Sequence, residues 1–448
     1  MSLAPLFAPR SVAVVGASPD PGRPGGIVLR NLRAFRGRLY PVNPHHREIG
    51  GLPSFPTLSD LPEPVDLAVL LRPAAELPRL LAEQGDRIRC AVVVSAGFAE
   101  TGAVALQEEL LRVARERGVR ILGPNCLGVY NPYQRLDTLF LPRERLRRPR
   151  KGNVAIVAQS GALLVCLLEA LARAGQGISC AVNYGNAADI DAAELFDHLA
   201  ADPRTEVVVA YLEAVGEGRR FLATARQLAN RKPLLVLKGG KGAGGQAAAC
   251  SHTGRLAGRY DVFTSLLRQE GIQEVTDLDA LLDATLALAR QRPRPGRRVA
   301  IVTNAGGLGV LAADECGRQW LELTPLPPAV RERLQGVFPA FYTVANPIDL
   351  TGQVRDEEFR TVLAALGDAY DGFLIIAHSG VAGVGPGLAA IVSEFHHAVA
   401  RPVVVCLPPG GIAGQLGRAL QRGGIPVYPT PERGVRGLQA LLAGEGAP

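Results

Sequence analysis

Lysine is nearly missing from this 448-residue chain: of 49 basic residues only Lys151, Lys232, Lys238 and Lys241 are lysine, and the rest are arginine. Aromatic residues make up 5% of the chain, with Trp320 the single tryptophan. The net charge is +7, yet the basic residues are scattered among Asp and Glu. Dense basic runs occur only over 143–151 and 290–298, and no aromatic side chains alternate with them. A nucleic-acid platform stacks bases on aromatics along a basic groove, so that class is excluded. A mild positive field suits small phosphorylated anions instead. Seven cysteines, an odd number without a CxxC pair, argue against a disulfide framework and for a reducing compartment. No apolar run reaches the ~18 residues of a membrane span, and residues 1–10 lack the apolar core of a signal peptide. The expectation is a cytoplasmic protein with no membrane role. Metal-ligand spacing is also missing: no second histidine or carboxylate stands near His252 at the distances a zinc site uses.

What is present is a 47% hydrophobic, 20% charged chain, the balance of a soluble globular protein. Its length allows about three domains of ~150 residues. One opening recurs three times: Val12-Ala13-Val14-Val15-Gly16-Ala17-Ser18, then Val154-Ala155-Ile156-Val157-Ala158-Gln159-Ser160-Gly161-Ala162, then Val299-Ala300-Ile301-Val302-Thr303-Asn304-Ala305-Gly306-Gly307. Each is a short β-branched run, then small residues, then a helix-like segment, as when a buried parallel strand feeds a helix through a tight turn. Further apolar runs at 67–71, 91–94, 207–212, 234–237, 373–376 and 403–407 read as strands, with amphipathic stretches such as 106–117 between them. Strand alternating with helix predicts α/β architecture, three consecutive doubly wound domains over 1–134, 150–290 and 297–448. Their boundaries fall in the Arg/Pro-rich stretches.

Six places carry chemistry. Gly16-Ala17-Ser18 resembles a dinucleotide turn but is not GxGxxG, and the second strand ends at Tyr40-Pro41-Val42-Asn43-Pro44 without the carboxylate that binds an NAD ribose, which disfavours a dehydrogenase. Ser95-Ala96-Gly97-Phe98 and Gly123-Pro124-Asn125-Cys126 lie at further strand ends, where open α/β sheets bind ligands. Gln159-Ser160-Gly161-Ala162 opens a helix, whose free N–H groups and dipole favour a phosphate. Glu213 closes an apolar strand, a place where a carboxylate is commonly a solvated loop acid. His252 follows the glycine-rich run 239–245, in Ser251-His252-Thr253-Gly254. A lone loop histidine is more often a surface residue than a catalytic one. If the second-domain strands are parallel neighbours, Ser160-Gly161, Glu213 and His252 emerge on one edge and supply the parts of a phosphoryl-transfer site. The glycine-rich run is not a Walker loop, because Gly242 stands where Ser or Thr would be.

The motifs 14–18, 40–44, 95–100 and 123–128, in order, resemble the CoA-binding domain of ADP-forming acyl-CoA synthetases, relatives of succinyl-CoA synthetase. Gln159-Ser160-Gly161-Ala162, Asn183-Tyr184-Gly185-Asn186, Tyr211-Leu212-Glu213 and Ser251-His252-Thr253-Gly254 resemble the catalytic domain of that family. The segments 303–309 and 346–352 resemble its flavodoxin-like third domain. The resemblance implies a Rossmann-like CoA-binding domain followed by two flavodoxin-like ligase domains. It implies that Gly16, Ala17, Ser18, Asn43, Pro44, Ala96, Gly97 and Asn125 border CoA, and that Ser160, Gly161 and Ala162 hold phosphate. It also implies that His252 is phosphorylated with Glu213 as its partner, and that no metal is bound by this chain. The reaction implied is acyl-CoA + ADP + phosphate ⇌ carboxylate + CoA + ATP. The family's ATP-grasp domains are not found in the sequence, so ADP/ATP and Mg²⁺ are expected on a separate ATP-grasp β-type subunit, in a hetero-oligomer. The rival expectation is a non-catalytic CoA-binding protein or metabolite sensor on the same scaffold. The third-domain glycines, His378, His396 and His397 are expected to serve packing or to be solvated, and Trp320 stands where the family position is expected to be small.

Overall fold

The computed structural model describes residues 2–246 and 259–443, so His252 lies outside the described residues. The chain forms two compact units, Met1–Val275 and Thr276–Pro448. The first unit contains two large sheets. Strands β1 (Ser11–Val15), β2 (Arg38–Val42), β5 (Val65–Leu70), β6 (Ile88–Val93) and β7 (Arg120–Leu122) form the first, with a small hairpin of β3 (Glu48–Ile49) and β4 (Leu52–Pro53) between them. The order is β2-β1-β5-β6-β7, parallel throughout. Val12 and Val14 join one core cluster while Ala13 and Val15 join another. Both faces of the strand are therefore covered, which is why it reads as an unbroken apolar run.

The second sheet holds β8 (Gly128–Asn131), β9 (Leu136–Asp137), β10 (Lys151–Ala158), β11 (Ile178–Asn183), β12 (Val207–Leu212), β13 (Leu234–Lys238) and β14 (Gln273–Val275). Its order is β14-β13-β12-β10-β11-β8-β9. The strands from β10 to β14 are parallel, whereas β8 runs antiparallel to β11. Residues 128–137, at the end of the first expected domain, pair within the second sheet. The physical reason is edge protection: without β8, the β11 backbone would offer a row of unpaired groups. One core cluster runs through both sheets, taking Val14, Val69 and Val92 from the first and Val157, Val182 and Val208 from the second.

The second unit is built on β15 (Val299–Thr303), β16 (Ile348–Asp349), β17 (Gly372–Ile376), β18 (Val403–Cys406) and β19 (Val427–Tyr428), ordered β16-β15-β17-β18-β19 and all parallel. Counted from its own first strand, each parallel set has the order 2-1-3-4-5, which is flavodoxin-like and has its switch point between the first and third strands.

Candidate active site at the second sheet's switch point

Ligands of open α/β sheets bind at the carboxyl ends of strands where the order reverses. In the second sheet that place lies between β10 and β12, and Gln159-Ser160-Gly161 and Glu213 follow those two strands directly. The helix Gly161–Arg173 is pinned by a buried stripe of Leu164, Leu167, Leu168 and Leu171. Ser160 caps it, its Oγ accepting from the Leu163 N–H at 3.4 Å. The first-turn amides of a helix have no partners within it, so this end is a natural seat for an anion.

Gln159 links the two strand ends. Its Oε1 accepts the N–H of Glu213 at 2.7 Å and of Ala214 at 3.0 Å. Its Nε2 is buried and has no hydrogen-bond partner among the described residues. A buried unpaired donor is costly, and this one belongs to the residue next to the helix cap.

Glu213 is 5% exposed, unlike the solvated loop acid that commonly closes such a strand. Gln159 holds its N–H, and the Lys238 ammonium donates to its carbonyl oxygen at 2.6 Å. Burial first, then the nearby Glu213 carboxylate, push the Tyr211 hydroxyl well above the ordinary tyrosine range. Room for this pair comes from Gly239, where a Cβ would lie 2.5 Å from the Tyr211 hydroxyl.

A second network ties in the strand ends of the first sheet. Asn183, at the end of β11, donates to the carbonyls of Ala158 and Gln159, each at 2.9 Å, and accepts the Leu127 N–H at 2.7 Å. Asn186 donates to Glu100 at 2.5 Å and to Gln107 at 3.0 Å, and accepts from the Asn125 amide at 3.4 Å. Glu100 also accepts the N–H groups of Gly97 and Phe98. Burial pushes its carboxyl upward, but these bonds from Asn186, Gly97 and Phe98 outweigh it and leave the carboxyl below its ordinary value. Gly97, Asn125 and the Gln159-Ser160 turn are thus joined through side chains of the second domain.

The remaining expected CoA residues lie at the carboxyl edge of the first sheet. Gly16 has φ +90°. Ala17 is buried to 1% exposure, so it offers only backbone, and its carbonyl accepts from the Asn43 amide at 2.8 Å. Asn43 also accepts the His45 N–H, so its side chain holds two turns together. Ser18 is half-buried, while Pro44 and Ala96 are exposed.

Gln159, Lys238, Asn183, Asn186 and Glu100 carry these contacts, and the sequence reading assigned none of them a role. All had a signal in the sequence: Gln159 belongs to the strand-turn-helix opening, Glu100, Asn183 and Asn186 fall within quoted motifs, and Lys238 is one of four lysines in an arginine-rich chain. In the second unit, Asn304 repeats the Gln159 device across its own switch point, accepting the His378 N–H at 2.8 Å and donating to the His378 carbonyl at 3.3 Å. His378 is exposed, His396 faces the Arg401 carbonyl and His397 the Ser393 carbonyl, as local packing or solvated roles require. Trp320 is 69% exposed at φ +58°. Among the described residues no three His, Cys, Asp or Glu side chains gather as metal ligands, and no helix is long and apolar enough to cross a membrane.

Parallel strands in flavodoxin-like order, with a clamped acid beside a capped helix start, define an α/β protein built to hold an anionic ligand at its switch point. Residues 10–132 match the CoA binding domain, 151–288 the succinyl-CoA ligase like flavodoxin domain, and 299–430 the ligase-CoA domain. The chain is 34% identical to acetate–CoA ligase (ADP-forming) II subunit alpha of Pyrococcus furiosus, over 98% of this chain and 96% of that one. It is 37% identical to acetate–CoA ligase (ADP-forming) I of Archaeoglobus fulgidus, covering 97% of this chain but 63% of that longer protein. Among solved structures it matches the dinucleotide forming acetyl-coenzyme A synthetase 1 of Ca. Korarchaeum cryptofilum, in complex with phosphate and ADP. There the TM-score is 0.90 at 35% identity, over 99% of this chain and 96% of that one. The chain belongs to the family of ADP-forming acetate–CoA ligases.

Proposed function

We propose that this chain is the α-type part of an ADP-forming acyl-CoA synthetase, taking acyl-CoA, phosphate and ADP to carboxylate, CoA and ATP. The observation that carries the reading is Glu213, buried and gripped at both its N–H and its carbonyl beside the Ser160 helix start. A phosphate oxygen attacks the thioester carbonyl, the C–S bond breaks, and CoA leaves with an acyl phosphate formed. The His252 imidazole then attacks phosphorus, the P–O bond to the acyl group breaks, and the carboxylate departs. A carboxylate that accepts from one ring nitrogen fixes the tautomer and raises the basicity of the other, which is the part given to Glu213. The amides at Ser160, Gly161 and Ala162 stabilise the phosphoryl charge, and the Gln159 amide, without a partner among the described residues, offers a further donor. Finally a β-phosphate oxygen of ADP takes the phosphoryl group, breaking the P–N bond and restoring the imidazole.

Gly16, Ala17, Ser18, Asn43, Pro44, Ala96 and Gly97 border CoA in this reading, with Asn125 toward the thiol. The ADP/ATP site with its Mg²⁺ belongs to an ATP-grasp partner subunit, in a hetero-oligomer in the cytoplasm. Relatives named as α subunits support a partner. Mg²⁺ would supply charge neutralisation at the nucleotide phosphates. His252→Ala is expected to abolish ATP formation from acetyl-CoA, ADP and phosphate in the presence of the partner, while CoA affinity stays within about twofold. ATP formation by that variant would contradict the mechanism. A wild-type chain that binds CoA yet turns nothing over with its partner would mark a sensor.

A further inference from the structure

Lys238 ends β13 and is 2% exposed, in a chain that otherwise uses arginine almost wherever it needs a cation. Its ammonium donates to two main-chain carbonyls, Glu213 and Gly239, one beyond the end of β12 and one just beyond β13. The pairing of these strands ends at Leu212 opposite Lys238. The side chain therefore continues the tie between the strands one residue past their ladder. The Phe263 ring faces the ammonium at 5.7 Å. A compact ammonium with freely rotating donors fits such a setting, whereas a planar guanidinium with fixed fork geometry does not. This accounts for a lysine at this position.

We infer that Lys238 is a positioning residue of the active site, locking the tips of β12 and β13 so that the Glu213 carboxylate stands where it can orient the nucleophilic imidazole. The inference rests on the reading of Glu213 as the partner of that imidazole. Gln159 holds the Glu213 N–H and Lys238 its C=O, so the backbone of the acid is fixed from both sides. Burial pulls the Lys238 pKa below the ordinary lysine value while the charges of Glu213 and Glu274 pull it back. Glu274 accepts from Tyr260 at 2.6 Å and meets Lys241 at 3.6 Å. Glu213 is the acid whose carbonyl Lys238 grips directly.

The test uses the full chain with its partner subunit and follows phosphoprotein formation from acetyl-CoA and radiolabelled phosphate. Lys238→Met is expected to slow labelling by about tenfold or more, as loss of a group that orients a reacting residue commonly does. The KM for acetyl-CoA should stay within about twofold, because only the orientation of the acid has changed. Lys238→Arg, which keeps the charge, should stay slow. In a Glu213→Gln background, Lys238→Met should cost less than about twofold more, since the two residues act as one unit. Labelling of Lys238→Met at the wild-type rate, or the same fold loss in both backgrounds, overturns the inference. If Lys238→Met does not fold by circular dichroism, Lys238→Gln, whose shorter, uncharged side chain loses the ammonium tie, takes its place with the same outcomes. A wild-type chain that takes no label defeats the reading of Glu213 itself, and this inference with it.

Discussion

Glu213 closes an apolar strand, yet two side chains distant in sequence hold it, Gln159 at its N–H and Lys238 at its carbonyl, with the neighbouring Tyr211 beside its carboxylate. The residue was legible in the sequence because a carboxylate after an unbroken apolar run stands out. Its burial was not, since the Gln159 contact spans 54 positions and the Lys238 contact 25. Asn43 shows the same limit: its motif is visible, but its amide bonds the Ala17 carbonyl rather than standing open to a ligand. A test at this scale is Gly239→Ala. The new methyl would lie 2.5 Å from the Tyr211 hydroxyl, an overpacking expected to cost about 1–3 kcal/mol in chemical denaturation. Adding Tyr211→Phe removes the clashing oxygen and should recover much of that loss. If the double variant is as unstable as the single, the crowding is not at that hydroxyl.

Strands buried on both faces announce themselves, and so the openings of β1, β10 and β15 stand where the three repeated motifs place them. Edge elements do not. Gly128-Val129-Tyr130-Asn131 has neither the length nor the alternation of a strand, and becomes β8 only because β11 needs an antiparallel neighbour. β14 and β16, of three and two residues, are short for the same reason. The amino ends of β15 and β17 are joined by Asp371, which accepts the N–H groups of Arg297 and Arg298 and pairs with the Arg298 guanidinium at 2.9 Å. Burial pushes this carboxyl up, but the Arg298 bond and the two amides outweigh it and hold it at about 2, against an ordinary 3.8. A depressed carboxyl adds stability above its unfolded value and loses it as pH falls through its folded value. The tie should therefore weaken between pH 3.8 and about 2, by roughly 1 kcal/mol after allowance for the half-exposed arginine. Asp371→Asn should melt at a lower temperature at neutral pH and show a flatter acid slope over that window. An unchanged slope would contradict the assignment.

At the scale of the whole molecule, the parallel strands of the three large sheets share one order, and each set puts small or amide-bearing residues at the turn after its first strand: Gly16, Gln159-Ser160 and Asn304. That repetition was readable, because the three openings resemble one another. The grouping of the first two sheets into one compact unit was not, because it depends on side chains such as Asn183 and Asn186 reaching across from the second to the first. The chain spans 63% of the Archaeoglobus fulgidus ligase but 96% of the Pyrococcus furiosus α subunit. The central claim is that phosphorus rests on one imidazole between thioester and nucleotide. The direct measurement is to incubate the chain and its partner with acetyl-CoA and radiolabelled phosphate, leave out ADP, and map the label. Acid-labile, base-stable label on the peptide containing His252, lost in His252→Ala and regained as ATP when ADP is added, is the predicted result. Label that is absent, or that survives the alanine substitution, would contradict it.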